Sequence, residues 1–304
     1  MRVAAIDCGT NSVRLLIADL RGGALSELVR EMRIVRLGEG VDRTGRLAPA
    51  AIERTRLALE EYAGLIKEHG ADRVRMVATS ASRDAENAGE FVAMVRSVLG
   101  IDPEVVSGDE EARLSFTGAV RGLETEGPYL VVDIGGGSTE FVVGDREVES
   151  AISVDIGCVR MTERHIHADP PSTVELADAT ADITATVERA LGAVGGGRGL
   201  TLVGLAGSVT TIAGIWLGLT RYEPKSIHHA VVPAAGVADV VDRLIGMDHD
   251  TRLAIPIMHP GRADVIIAGG LILRTIMERT GAGAVIASES DILDGIAWGL
   301  SPDQ

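Results

Sequence analysis

Two short blocks of this sequence carry the same functional groups at the same spacing. Ile6-Asp7-Cys8-Gly9-Thr10-Asn11-Ser12 and Val132-Asp133-Ile134-Gly135-Gly136-Gly137-Ser138 align so that Asp7 matches Asp133, Gly9 matches Gly135 and Ser12 matches Ser138. Glycines let backbone N–H groups approach an oxyanion closely, and Ser or Thr hydroxyls add donors. Gly9, Thr10, Asn11 and Ser12, with Gly135, Gly136, Gly137 and Ser138, are therefore the candidate phosphate-binding residues. An Asp at a strand end can hold a hard cation, usually through water, which makes Asp7 and Asp133 candidate metal ligands. One such block alone reads as a hairpin turn, which also favours Gly, Asn and Ser. Two matched copies, each with an Asp at the same place, favour phosphate.

Other residues suit the same chemistry. Arg83 follows a strand pattern in a Ser/Thr-rich turn, where a guanidinium can capture an anion; its plainer reading is a surface pair with Asp84 or Glu86. Ser107-Gly108-Asp109-Glu110 has the spacing of a capping box, which assigns Glu110 to the helix end. Glu111 has no capping duty; it is either an acid favoured by the helix dipole or a group with a chemical task. Arg14 stands where the second block has Glu140, as a phosphate clamp or a surface residue. Competing motifs fail. Neither Lys67 nor Lys225 follows a glycine, so there is no Walker A loop, and both blocks lead into β-branched and apolar residues rather than a Rossmann helix. No HExxH or GxSxG motif is present.

The blocks must be held by strands. Val3–Asp7 and Val13–Asp19 flank the first, and Tyr129–Val132 and Glu140–Val143 flank the second, so each reads as a β-hairpin. Further strands are predicted over Leu28–Leu37, Val74–Ala78, Val105–Val106, Leu200–Leu205 and Ala284–Ile286. Helices are predicted over Pro49–Glu68, Asn87–Leu99, Asp109–Val120, from a capping box at Ser172 to about Leu191, after Ala206-Gly207-Ser208, and over Val237–Ile245, Ala263–Thr280 and Asp291–Leu300. Strand-to-helix alternation means α/β. Two units are expected, 1–123 and 124–304, with a boundary near Leu123–Pro128.

Bulk properties narrow the function. The 304 residues are 46% hydrophobic and 24% charged, the balance of a globular protein. Aromatics are only 3%, too few for a base-stacking nucleic-acid platform. The net charge of −15 opposes non-specific DNA binding and repels polyanions, so any phosphate site must be made locally positive. Cys8 and Cys158 form no CxxC pair, the charged start lacks a signal-peptide pattern, and no apolar run would span a bilayer; a reduced cytoplasmic protein is expected, with no membrane partner.

Six ordered blocks resemble the exopolyphosphatase / guanosine pentaphosphate phosphatase (Ppx/GppA) family: 4–17, 78–88, 105–120, 131–144, 203–214 and 261–270. They span almost the whole chain. The resemblance implies a two-lobed actin/heat-shock-70/sugar-kinase (ribonuclease H-like) superfold with its active site in the interlobe cleft and the last helix, about 290–304, packed back on the first lobe. It implies Glu111, the second acid of Glu110-Glu111-Ala112-Arg113, as catalytic base, Asp133 and Glu140 as essential acids, and Arg83 as substrate-binding arginine. Mg²⁺ is the expected cofactor, held near Asp133 and Glu140 with Asp7 as helper, and Gly207 and Ser208 join the phosphate-binding set. The expected substrate is inorganic polyphosphate, with guanosine pentaphosphate as the alternative and a homodimer as the assembly. Longer members carry a further C-terminal region; its absence before Gln304 points to short chains.

A kinase of the same superfold and a non-enzymatic sensor are the remaining rivals. Gly207-Ser208 and Gly269-Gly270 sit where a kinase would place adenosine, whereas the EEAR block favours hydrolysis. His165-Ile166-His167 has the alternate spacing of a strand metal site but lacks a third ligand. His228-His229 can bind a phosphate tail or line a strand edge, and Asp248-His249-Asp250 lacks the other residues of a metal-dependent HD hydrolase.

Overall fold

The computed structural model describes residues 1–22, 24–123 and 125–301. The chain divides into two α/β units, Met1–Gly118 with the stretch from Ile292 onward, and Ala119–Asp291. The division falls at residue 118 rather than 123.

The first unit holds strands β1 (Arg2–Cys8), β2 (Ser12–Arg21), β3 (Ala24–Ile34), β4 (Arg73–Ala78) and β5 (Glu104–Val105). Its helices are α1 (Val41–Thr44), α2 (Pro49–His69), α3 (Ser80–Asp84), α4 (Ala88–Leu99) and α5 (Gly108–Val120), whose last two residues count with the second unit. The sheet order is β3-β2-β1-β4-β5, with β1–β2 and β2–β3 antiparallel and β1–β4 and β4–β5 parallel. Period-two alternation separates its faces. Ala4, Ile6 and Cys8 pack toward Leu59, Tyr62, Phe91 and Val95 of α2 and α4, while Val3 and Ala5 pack toward Leu114 of α5 and Ile292, Leu293 and Ile296 near the C-terminus. Asp7 falls on the same side as Val3 and Ala5, the side that α5 covers.

The second unit repeats the plan. Strands β6 (Tyr129–Ile134), β7 (Thr139–Gly144), β8 (Val148–Val154), β9 (Thr201–Leu205), β10 (Val231–Pro233) and β11 (Ala284–Ala287) alternate with α6 (Cys158–His165), α7 (Thr173–Val194), α8 (Ala206–Trp216), α9 (Pro224–Ile227), α10 (Ala234–Ile245), α11 (His249–Leu253) and α12 (Ile266–Thr280). The order β8-β7-β6-β9-β11 matches that of the first sheet, and β10 adds an antiparallel edge. Helix α7 starts at the expected capping box: Ser172 Oγ accepts the Glu175 N–H, and the Glu175 carboxylate accepts the Ser172 N–H. The two-lobed α/β class of the sequence reading is thus the class of the fold.

The last helix, α13 (Ile292–Trp298), belongs to the first unit. A Cβ at Gly295 would lie 2.0 Å from the Leu114 carbonyl oxygen, so this glycine lets α13 lie directly on the α5 backbone. Arg30 Nη2 bonds the buried Asp294 carboxylate at 2.7 Å and ties α13 to β3.

Candidate active site

The first loop is the β1–β2 hairpin. Its ends are closed by the Gly9 N–H to Ser12 carbonyl bond, 2.9 Å. Asp7 and Arg14 are partners in the antiparallel register, so both side chains leave the same face. Arg14 donates to Asp7 Oδ2 from Nε (3.0 Å) and Nη2 (2.8 Å). The carboxylate expected to help with metal is thus already neutralised by a guanidinium, and Arg14 is an internal partner rather than a surface residue. The loop is supported from behind: the Asn11 carbonyl accepts the Val35 and Arg36 N–H groups, and the Thr10 carbonyl accepts the Gly38 N–H.

Thr10 connects this loop to the helix that carries Arg83. Its hydroxyl lies 2.8 Å from the Ser80 hydroxyl at the start of α3, and α3 ends with Arg83 and Asp84. Arg83 Nη1 donates to Glu111 Oε2 (3.0 Å) and to the Val106 carbonyl (3.1 Å). The two neighbouring acids now differ physically. Glu110 is 45% exposed in its side chain, and its N–H bonds Ser107 Oγ at the helix start. Glu111 is buried on the sheet side of α5, against Arg83.

The second loop closes in the same way, by the Gly135 N–H to Ser138 carbonyl bond, 3.0 Å. Asp133 and Glu140 are register partners, both buried, and the Ser153 hydroxyl donates to Glu140 Oε1 at 2.7 Å. The loop carbonyls face the protein. That of Gly135 accepts the Cys158 N–H, that of Gly136 accepts the Val159 and Arg160 N–H groups, and that of Gly137 accepts Arg160 Nε at 2.7 Å. Among the described residues, the N–H groups of Gly136, Gly137 and Ser138 make no backbone hydrogen bond. Such a turn, carbonyls engaged and N–H groups left over, is an anion nest. Gly157 makes it possible, since a Cβ there would lie 2.4 Å from the Gly136 carbonyl group.

A third element of the second unit is the turn from β9 into α8. Ala206, at φ 65°, turns the chain sharply from β9 into α8, so that Gly207 and Ser208 supply first-turn N–H groups. The Arg262 guanidinium lies on Gly207, where a Cβ would meet Nη2 at 2.1 Å, and Nη1 donates to Thr211 Oγ1 at 2.8 Å. Burial and the Arg262 charge lower the pKa of His259. Ser208 hydrogen-bonds the buried Cys158, whose thiol pKa is pushed up mainly by burial; burial also raises that of Cys8. Both are protonated thiols of low reactivity. Sequence reasoning missed Arg160 and Arg262. Arg262 stands in the 261–270 block, but nothing local shows that it folds back onto a turn more than fifty residues earlier.

The discounted signals have structural roles. His165 ends helix α6 rather than lying on a strand, and its Nε2 sits 2.9 Å from Asp182. Asp248 caps α11 through the Thr251 N–H. His228 and His229 stack at 3.7 Å. Among the described residues no cluster of three or more acidic, His or Cys side chains forms a metal site, and no helix is long and apolar enough to cross a membrane. Mg²⁺ needs no such cluster, because it keeps several waters and takes one or two carboxylates plus substrate phosphates. The Asp133/Glu140 pair fits that requirement.

Comparison with known proteins agrees with this architecture. Residues 16–303 match the Ppx/GppA phosphatase family. The chain is 51% identical over 314 aligned positions to Exopolyphosphatase 2 of Mycobacterium tuberculosis, covering 99% of this chain and 98% of that protein. The crystal structure of an exopolyphosphatase-like protein superposes with a TM-score of 0.93 at 41% identity, covering 98% of each chain. The Guanosine-5'-triphosphate,3'-diphosphate pyrophosphatase of Aeromonas salmonicida is 31% identical over 98% of this chain but only 59% of its own length.

Proposed function

This chain belongs to the Ppx/GppA phosphatase family, and on that premise we propose that it is a cytoplasmic exopolyphosphatase that removes the terminal phosphate of inorganic polyphosphate, with short chains favoured. The observation that carries the reading is the second loop. Its carbonyls are engaged by α6 and Arg160, its N–H groups form a nest, and two buried carboxylates stand in register at its base. A nest alone suits any anion; the paired carboxylates suit an anion that arrives with a hard cation.

In this reading a water oxygen attacks the terminal phosphorus and the bridging P–O bond breaks in line. Glu111 takes the proton from the water as general base. Arg83, bonded to Glu111, orients the carboxylate and offers its remaining donors to the phosphoryl oxygens. The N–H groups of Gly136, Gly137 and Ser138 and of Gly207-Ser208, with Arg262, stabilise charge on the equatorial oxygens. Mg²⁺ bound through Asp133 and Glu140 offsets substrate charge when present. Asp7, whose Oδ2 is held by Arg14, is the proposed helper of that cation. The products are orthophosphate and a chain one unit shorter.

The preference for short chains follows from charge. A net charge of −15 and only two lysines oppose a long anionic tail. The test is phosphate release, with Mg²⁺, measured in parallel from short polyphosphate, long polyphosphate, guanosine pentaphosphate and ATP. Short polyphosphate should give the highest kcat/KM, and a long stock should pass through a ladder of intermediates on electrophoresis. Preferential turnover of guanosine pentaphosphate, or turnover confined to ATP with an acceptor, would replace the proposal with the corresponding rival. The expected homodimer would appear as twice the 31.8 kDa chain mass in sedimentation.

A further inference from the structure

We propose that Asp169 and Arg252 are positioning residues for Arg262, holding the turn that presents this cation to the Gly207-Ser208 phosphate site; the inference rests on the reading of Arg262 given above. Arg252 is an unusual residue to find where it is. It sits on the five-residue helix α11, yet it is only 4% exposed. A buried guanidinium is costly unless its donors are matched. Here they are matched in three directions: Nε donates to the Ala263 carbonyl at 2.8 Å, Nη1 to the Met247 carbonyl, and Nη2 to Asp169 Oδ1 at 2.9 Å. The other Asp169 oxygen accepts the His249 N–H at 2.8 Å. The His249 bond, with the Arg252 pair, holds the Asp169 carboxyl below its usual pKa.

Ala263 directly follows Arg262, and it is fully buried. Arg252 therefore grips the backbone one peptide away from the cation. On the other side, His259 Nδ1 accepts the Gly261 N–H at 3.1 Å and closes the short turn Pro260–Arg262. Arg262 is held at its backbone from both sides and at its head by Thr211. An arginine side chain carries ~2 kcal/mol of rotamer entropy, so ordering it before substrate arrives favours binding and transition-state contact. A plainer role for the Asp169–Arg252 pair is to fasten the 166–172 segment to α11 for stability alone.

The two roles separate in a double-mutant cycle on the full chain, with tripolyphosphate as substrate and the melting temperature measured beside the kinetics. Arg262→Ala should lower kcat/KM by ~10–100-fold, the size of a lost charge-assisted hydrogen bond. Asp169→Asn should lower it by roughly 3–10-fold in the wild-type background and by nothing further in the Arg262→Ala background, whereas its effect on Tm should be the same in both. Arg252→Lys, which keeps the charge but not the fork, serves in the same cycle if Asp169→Asn does not fold. If the Asp169 and Arg262 effects multiply, or if Asp169→Asn changes Tm without changing kcat/KM, the positioning role is wrong while the reading of Arg262 stands. If Arg262→Ala alone leaves kcat/KM unchanged, the reading of Arg262 is wrong and the inference goes with it.

Discussion

Replacing Gly157 by alanine tests how the nest in the second loop is built. Gly157 has φ −149° and ψ 165°, ordinary extended backbone, so the substitution stores no torsional strain. The obstacle is space. An ideal Cβ would stand 2.4 Å from the Gly136 carbon and oxygen and 2.6 Å from the Gly137 nitrogen, where ordinary contact begins at 3.4 Å. The loop must therefore retreat by about 3.4 − 2.4 = 1.0 Å, and the atoms in the way are backbone, which cannot rotate aside. Overpacking of this kind costs ~1–3 kcal/mol of stability. The effect on catalysis should be larger, because a 1 Å displacement of groups that contact the reacting phosphoryl costs on the order of 10²-fold in rate. The assay is kcat/KM for phosphate release from tripolyphosphate, with thermal unfolding alongside. Gly192→Ala is the control. That glycine lies in α7 with nothing within 4 Å of its Cβ position, so alanine should leave activity unchanged and add roughly 0.5–1 kcal/mol of stability. Wild-type kcat/KM in Gly157→Ala would refute the argument that the close approach shapes the nest. A lowered Tm with unchanged kinetics would do the same.

Three further outcomes are expected. Glu111→Gln should lower kcat by ~10²–10⁴-fold with substrate binding retained, and Glu110→Gln far less; the reverse order would move the base to Glu110. Excess chelator should abolish turnover and Mg²⁺ restore it, and Asp133→Asn should raise the Mg²⁺ concentration at half-maximal rate; full activity in chelator would remove metal from the reading. The N–H and hydroxyl of Ser172, with the His167 and Ala168 N–H groups, bring the Glu175 pKa from 4.5 down to about 2. A carboxyl depressed on folding contributes stability that is fully present above its unfolded pKa and is lost as pH falls through the folded one. The Tm difference between wild type and Glu175→Gln should thus be constant above about pH 5.5 and shrink from pH 4.5 toward 2; a difference that grows on acidification would show that the cap is not held by the charged carboxylate.

The residues that can be read without a structure are those whose chemistry is local. Glycine-rich turns between apolar strands, and an Asp at the same place in each, are written in contiguous stretches, so both hairpins and the duplicated plan were legible. So was the capping box at Ser172, which depends on residues three apart. Glu111 could be told from Glu110 only in part, since a cap explains one acid but not what the other touches. Strand β8 and helix α6 were missed for different reasons: β8 lies mostly at intermediate burial, and α6 is only eight residues long and begins at Cys158 without a side-chain cap. The tertiary structure alone decided what depends on chain returning from a distance. It placed Arg14 on Asp7, Arg83 on Glu111, Arg160 behind the second loop and Arg262 on Gly207. A guanidinium has the same local signature on a surface as in a site. Its role is set by which carboxylate, carbonyl or turn lies within about 3 Å of it, and only the packed fold brings those groups together.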